Sequence, residues 1–424
     1  MRGRPRNAAG GSPCQFRTPV RGPWPGSPPV GASGLRGTAP QDPRKGTILV
    51  IKPEKYEARL QESRRRLEIV ESFREPDRVP IQISVAGSYF SKMQGVNIRD
   101  FYLDLETNLR VQLEGLEWVF EELQDDRTGI AVGFDPGPVY EGLYFGAEID
   151  RPDDTSPWIV PFLETREDVE KLEVPDPADN PGVQQIYRAY EKAVELVRQW
   201  GVNVQVTGGF YIHPPLSAAC AIMAPERVYQ LFYDDTDTLH LLFDKLFDAF
   251  CKLQDYRDAY FGERTTYLAL ADDNSAFISD EMYREHVLPY NLALYERYGT
   301  EGRFLHADGP NDHHFKTYAE VIKLTKMDIG GWSSLERAVQ DMKGKVVISG
   351  GLNNRDFYEG WEKARQAVEH AIDVGAPGGG YILAIGGETY PGVPPDLLCK
   401  AVAYAKEYGR YDRIHERLAR KDAP

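Results

Sequence analysis

Eight short β-branched or apolar runs recur along this 424-residue chain, and stretches of helical periodicity lie between most of them. The runs are Val79–Ser84, Gly129–Gly133, Asn203–Thr207, Thr265–Ala271, Arg303–His306, Met327–Ile329, Val346–Ser349 and Gly380–Ala384. The helical stretches are Asn108–Leu123, Gln184–Trp200, Thr238–Tyr260, Ser279–Tyr298, Asn311–Leu324, Tyr358–Val374 and Pro395–Tyr408. Alternating strand and helix imply a parallel sheet, because parallel neighbours need a crossover between them. Eight such units favour a sheet closed on itself over an open doubly wound one. The expected fold class is therefore α/β: a single (β/α)8 TIM barrel with an N-terminal helical extension and a disordered N-terminal tail. No internal repeat of roughly 20–50 residues competes with that reading.

The tail is read from composition. Residues 1–46 contain nine Pro and nine Gly and show no hydrophobic period. Such a stretch cannot bury enough apolar surface to offset the entropy of ordering. It holds eight Arg and Lys against the single Asp42, so it carries +7 while the rest carries −22 of the net −15. A transit peptide, or a translation start that truly lies near Ile48–Ile51, would also produce such a beginning. Periodic order starts at Lys55, where KYEARLQESRRRLEIVESF sets Leu60, Leu67, Val70 and Phe73 on one helical stripe. The expected divisions are a tail over 1–46, a helical segment over 47–78 and the barrel over 79–424.

The strongly acidic body argues against a nucleic-acid partner. No apolar run reaches the length of a membrane span, and the apolar stretch of a secretory signal is missing. Cys14, Cys220, Cys251 and Cys399 form no CxxC or zinc-knuckle spacing, and reduced thiols in a cytoplasmic protein are expected. A homodimer is left open.

In such barrels chemistry sits where strands end. The expected exits are TGGFYIHPP with Tyr211 and His213, ALADDNSAF with Asp272, Asp273 and Asn274, FLHADGPND with His306 and Asp308, and ILAIGGETY with Glu388 and Tyr390. Either of Asp272 and Asp273 also reads as a helix cap. Side chains two apart on a strand point the same way, so His306 and Asp308 would share the barrel mouth if the strand continues. An imidazole and a carboxylate there can ligate a divalent metal, with Asp273 or Glu388 as a third ligand. A hydrogen-bonded acid–base pair and a structural pair are the competing readings. His313 and His314 are expected to be solvated, and His240, His286, His370 and His415 to lie in helices as surface or packing residues. GAPGGGY and SGGLNN match no phosphate-binding pattern, so their glycines are read as letting a ligand approach the backbone.

These residues carry a family resemblance. REPDRVPI (Arg74–Ile81), LETREDVEKLEVPDP (Leu163–Pro177), ISDEMYREHVLPY (Ile278–Tyr290), LHADG (Leu305–Gly309), VVISGGLN (Val346–Asn353) and GGGYILAIGG (Gly378–Gly387) resemble the uroporphyrinogen decarboxylase superfamily over roughly residues 66–410. That superfamily includes zinc-dependent methyltransferases that serve corrinoid proteins. The resemblance implies a site at His306, but Asp308 and Gly387 stand where those methyltransferases have cysteines. Oxygen ligands from Asp308, Glu388 and Asp273 would then hold zinc or another divalent metal and suit an ether or alcohol oxygen. True decarboxylases carry an arginine-rich signature where this chain has ISVAGSYFSKMQG (Ile83–Gly95), which keeps Lys92 and no arginine.

The expected function is transfer of a methyl group between a small, methoxylated substrate and a corrinoid carried on a partner protein. The catalytic candidates are Asp273, His306 and Asp308. His306, Asp308 and Glu388 are the metal ligands, and Tyr211, His213, Asn274, Tyr381 and Tyr390 the substrate contacts. Metal-free decarboxylation and a non-catalytic barrel are the alternatives.

Overall fold

The computed structural model describes residues 51–421. The tail over 1–46, the start near Ile48–Ile51 (apart from Ile51) and Cys14 lie outside them. Nine strands lie among the described residues: β1 (Ala131–Val132), β2 (Ile149–Asp150), β3 (Trp158–Ile159), β4 (Gln205–Val206), β5 (Tyr267–Ala271), β6 (Gly302–Ala307), β7 (Lys326–Ile329), β8 (Val347–Leu352) and β9 (Tyr381–Ile385). β5 to β9 form one parallel sheet in chain order, and β1 pairs in parallel with β4. β9 is buried at every residue, as a strand covered on both faces must be.

The expected strand at Val79–Ser84 is present as separate bridges rather than a regular ladder. Ile81 and Val85 lie parallel to Leu383 and Thr389 beyond and along β9. On the other side Asp126 donates from its backbone to the Ile81 carbonyl, 2.7 Å. Pro80 has no N–H to give, which interrupts the ladder. Seven helical stretches from the sequence reading stand close to their expected places, as at Pro181–Gln199, Trp361–Gly375 and Pro395–Tyr408. Pro181 opens the first of these, and the Asn180 side chain accepts from Val183 N, closing its first turn.

The sequence reading did not foresee the short helices Gly87–Met93, Ile98–Leu103, Tyr140–Phe145 and Leu335–Met342, or the antiparallel hairpin of β2 and β3. Each is too short to show a period above that of its loop.

The helix Glu57–Glu71 covers the N-terminal ends of the strands. Its Leu67 and Val70 form a buried cluster with Val347 and Ile382, at the starts of β8 and β9. Arg66 anchors it, donating to both Asp77 oxygens (2.8 and 2.9 Å) and to Asp126 (2.7 Å). The opposite, C-terminal rim is left for chemistry. Among the described residues no helix is long and apolar enough to cross a membrane.

Candidate functional site

β6 ends at Ala307, one residue short of Asp308, yet His306 and Asp308 still share the rim. The register sets His306 between Ala271 of β5 and Asp328 of β7. Asp328 Oδ2 lies 2.9 Å from His306 Nδ1. A carboxylate only accepts, so Nδ1 carries the hydrogen and Nε2 is turned to the cavity with its lone pair free in the neutral ring. Nε2 lies 3.8 Å from Asp273 Oδ1 and 3.9 Å from Asp308 Oδ2. One ligand atom from each of Asp273, His306 and Asp308 falls within 4.8 Å of the others. Asp273 Oδ1 also accepts from Asp308 N at 2.6 Å, which ties the two loops together.

Gly387 makes room for this group. A Cβ there would stand 2.9 Å from both Asp308 carboxylate oxygens, and φ is +76°. The position that carries a cysteine in the resemblance is thus one where a side chain would displace the neighbouring carboxylate and where the positive φ favours glycine. Asp308 Oδ1 is buried without a hydrogen-bond partner.

Charge in the site is unbalanced. Burial alone would lower the His306 pKa, but the hydrogen bond to Asp328 and the charges of Asp273, Asp328 and Asp308 outweigh it and hold it at about 9. Burial pushes the Asp308 carboxyl up; His306 opposes that and Asp273 adds to it. Desolvation in the cavity also raises Glu388, helped by Asp135. Carboxylates held above their ordinary range around one imidazole are a site short of positive charge.

The donor set fits a divalent metal. One imidazole nitrogen and two carboxylates are ligands zinc accepts and other divalent ions tolerate. The Asp328–His306 contact is the outer-shell support that metal-binding histidines generally carry. Asp273 is the third member of the group; Glu388, the third ligand expected from the sequence, lines the same cavity but stands outside it. The cavity, of about 760 Å³, reaches from Asp273, Glu388 and Tyr390 at the rim down to Phe304, Lys326 and Gln82.

The other expected residues separate into two sets. His213 and Tyr390 line the cavity. His213 is held by Glu141, whose Oε1 lies 2.7 Å from both its backbone N and its Nδ1. Tyr211 packs against Tyr140, with centroids 4.4 Å apart, and lines a neighbouring cleft with Asp135. Asn274 is turned to Tyr229, accepting from its hydroxyl at 3.1 Å, and does not line the cavity. Tyr381 is a correction: it starts β9, is fully buried, and donates to the Gly350 carbonyl at 2.8 Å. Its position at the strand start puts it beneath the rim, against Gly375.

His314 is a second correction. It is fully buried, with Nε2 2.9 Å from Ser275 O and Nδ1 3.1 Å from Asp280. His313, His370 and His415 are exposed as expected. Asp272 is no side-chain cap; it is buried and accepts from Ser217 and Asn291, both at 2.8 Å. Burial pushes its carboxyl to about 6. Cys220 and Cys251 are free and buried, and Cys399 is free and half-buried.

Sequence reading missed Asp328 and Glu141. Asp328 had a usable signal, since an aspartate inside a predicted strand, between the apolar Met327 and Ile329, must face something polar. Glu141 had none: only folding brings it to a histidine 72 residues away.

The family model for uroporphyrinogen decarboxylase (URO-D) matches residues 64–408. A uroporphyrinogen decarboxylase from Shewanella piezotolerans is 26% identical over 273 residues, covering 60% of this chain and 70% of the relative. Another, from Trichlorobacter lovleyi, is 24% identical over 349 residues, covering 76% and 92%. Among solved structures, a methyltransferase from Methanosarcina mazei superposes with a TM-score of 0.62 at 17% identity, covering 82% of this chain and 98% of that one. At that identity the likeness speaks to the fold alone.

Proposed function

The chain belongs to the uroporphyrinogen decarboxylase family, and from that premise we propose that it is a methyltransferase of the family, moving a methyl group between a small methoxylated substrate and a corrinoid on a partner protein. The parallel order of β5 to β9, the β1–β4 pair and the bridges of Ile81 and Val85 support reading the strands as a closed (β/α)8 barrel. The C-terminal rim is its mouth.

One observation carries the proposal. His306, pinned by Asp328, turns its free nitrogen to Asp273 and Asp308 within metal-ligand distance of one another. These three would hold a divalent metal, which would polarise the oxygen bearing the methyl group. Asp328 fixes the tautomer and the ring orientation. The methyl–oxygen bond breaks with its electron pair staying on oxygen, and the reduced corrinoid takes the methyl group. Glu388, raised by desolvation and standing at the mouth, is placed to supply the proton that the leaving oxygen takes up. Tyr390 and His213 wall the substrate's place, and His213 is kept from swinging by Glu141.

Decarboxylation of a porphyrinogen is the reading that the relatives' names favour. It would need several cations for the substrate's many carboxylates. The cavity offers few: Arg127 is bound to Asp125 and to the Ile83 carbonyl, and the helix Gly87–Met93 brings no arginine.

Metal analysis of the purified protein with a single-turnover methyl-transfer assay tests the proposal. About one divalent metal per chain, lost in His306→Ala together with methyl transfer to added reduced cobalamin, is the expected result. Protein without stoichiometric metal, or His306→Ala with undiminished transfer, overturns it.

A further inference from the structure

The cavity changes character from rim to floor. Lys326 opens β7 two residues before Asp328, on the same face of the strand. It pairs across the sheet with Phe304, which likewise stands two residues before His306 on β6. A layer of Phe304 and Lys326 therefore lies directly beneath the layer of His306 and Asp328. Gln82 also lines the cavity and meets Lys326, while Ser349 pairs with Asp328 in the layer above.

The Lys326 ammonium is almost unaccompanied. Its one hydrogen bond is a long one, 3.4 Å to Gln82 Oε1, and it lies 5.9 Å from the centroid of the Phe304 ring. Among the described residues it forms no ion pair, whereas the other cations lining the cavity are taken. Arg127 donates to Asp125, His213 is held by Glu141, and His306 by Asp328. An ammonium has three donors, so two are left without a protein acceptor. A half-buried cation with one long hydrogen bond and no ion pair costs folding energy, and such groups in a cleft commonly mark a ligand site. Burial holds this ammonium below its ordinary range, against the opposing pull of the Glu71 and Asp328 charges.

We infer that Lys326, with Gln82, forms a floor subsite that takes a carboxylate of the substrate. One free cation serves one carboxylate, so the substrate class is a small monocarboxylic acid. Two strand residues at roughly 3.3 Å each separate the layers by about 6.6 Å. That is the reach of one aromatic ring substituted at opposite ends, and the Phe304 ring stands beside the path. The acid end would rest on Lys326 while the methyl-bearing oxygen stands at His306. Naming that oxygen rests on the methyl-transfer reading; the carboxylate subsite stands on the Lys326 geometry.

Calorimetric titration of the full-length protein with 4-methoxybenzoate and with 4-methoxybenzamide, its neutral counterpart, tests the subsite. The acid is expected to bind at least tenfold more tightly than the amide, as a charge-assisted contact in a cavity should give. Lys326→Met removes the preference, Lys326→Arg keeps most of it, and His306→Ala leaves it in place. Both Lys326 variants should melt no lower than the parent, because the parent has no ion pair there to lose; Lys326→Gln serves if the methionine variant does not fold. No binding of the acid to the parent, equal binding of acid and amide, or a preference that survives Lys326→Met or Lys326→Gln overturns the inference. Metal content and methyl transfer are read on the same preparations. A Lys326-dependent preference in protein without metal or transfer sinks the methyl-transfer reading alone; metal and transfer without the preference sink the subsite alone.

Discussion

Two charge clusters occupy opposite ends of this molecule, and they are built on opposite rules. At the N-terminal end of the strands, Arg66 and Arg78 meet Asp77 and Asp126. Arg78 donates to both Asp126 oxygens at 2.6 and 2.8 Å, Arg66 adds a third contact, and Ile81 N a fourth at 2.8 Å. Cations match anions, and each Asp126 oxygen accepts two bonds. At the C-terminal mouth, Asp273, Asp308, Asp328 and Glu388 surround one histidine, and the buried Oδ1 atoms of Asp308 and Asp328 have no partner. The first cluster is closed and fastens the Glu57–Glu71 helix to the strands. The second is open and lacks a cation. Completeness, rather than the presence of buried charge, separates a structural network from a site.

Substitutions can break this contrast from either side. The largest effect is expected at the mouth, on activity. His306→Ala should lower methyl transfer by at least about a hundredfold and bring metal content to background, because a ligand is lost. Its thermal midpoint by calorimetry should fall only by what the single contact with Asp328 contributes, less than in Arg66→Ala; a larger fall would place His306 with the structural cluster instead. At the other end, Arg66→Ala should cost about 3–5 kcal/mol in denaturant unfolding, because it strips a partner from the buried Asp126. Metal bound per folded molecule should stay unchanged.

Asp328→Asn sharpens the contrast within the mouth. The amide can still meet His306 but no longer favours the right tautomer, so metal affinity should drop about 10–100-fold by competition with a chelator. An unchanged affinity would make Asp328 a packing residue. The smallest effect concerns pH. Burial alone would lower the His213 pKa, but Glu141 outweighs it and sets it at about 9, above the ordinary 6.5. The pair's contribution is therefore fully present below about pH 6.5 and is lost as pH rises through about 9. Stability of the parent between those values should decline more steeply than that of His213→Gln. Parallel profiles would show that the pair contributes nothing.

How much of this was legible in sequence follows from the range of each signal. Parallel strands are read from local apolar runs, and β5 to β9 stand within a residue or two of the runs that announced them, except that β8 runs three residues past Ser349. β1 and β4 are shorter than expected; Gly129 and Gly133 bracket β1, and glycine weakens a strand. His306 and Asp308 were visible because a short motif at a strand end places both side chains. Tyr381 was misjudged because periodicity gives a residue its face but not its depth along the strand. His314 was misjudged because a helix start looks solvated until another loop, here the one carrying Ser275, closes over it.

By itself, the sequence determined the alternation of strand and helix, the acidic body, the family and the rim residues His306, Asp273 and Asp308. All of these rest on interactions between near neighbours or on patterns of residue type. Tertiary structure alone decided which carboxylate orients His306, that Gly387 clears space for Asp308, that Glu141 holds His213, and that Lys326 stands unpaired under the mouth. Those depend on register and on loops meeting across tens or hundreds of residues, and no local pattern carries them.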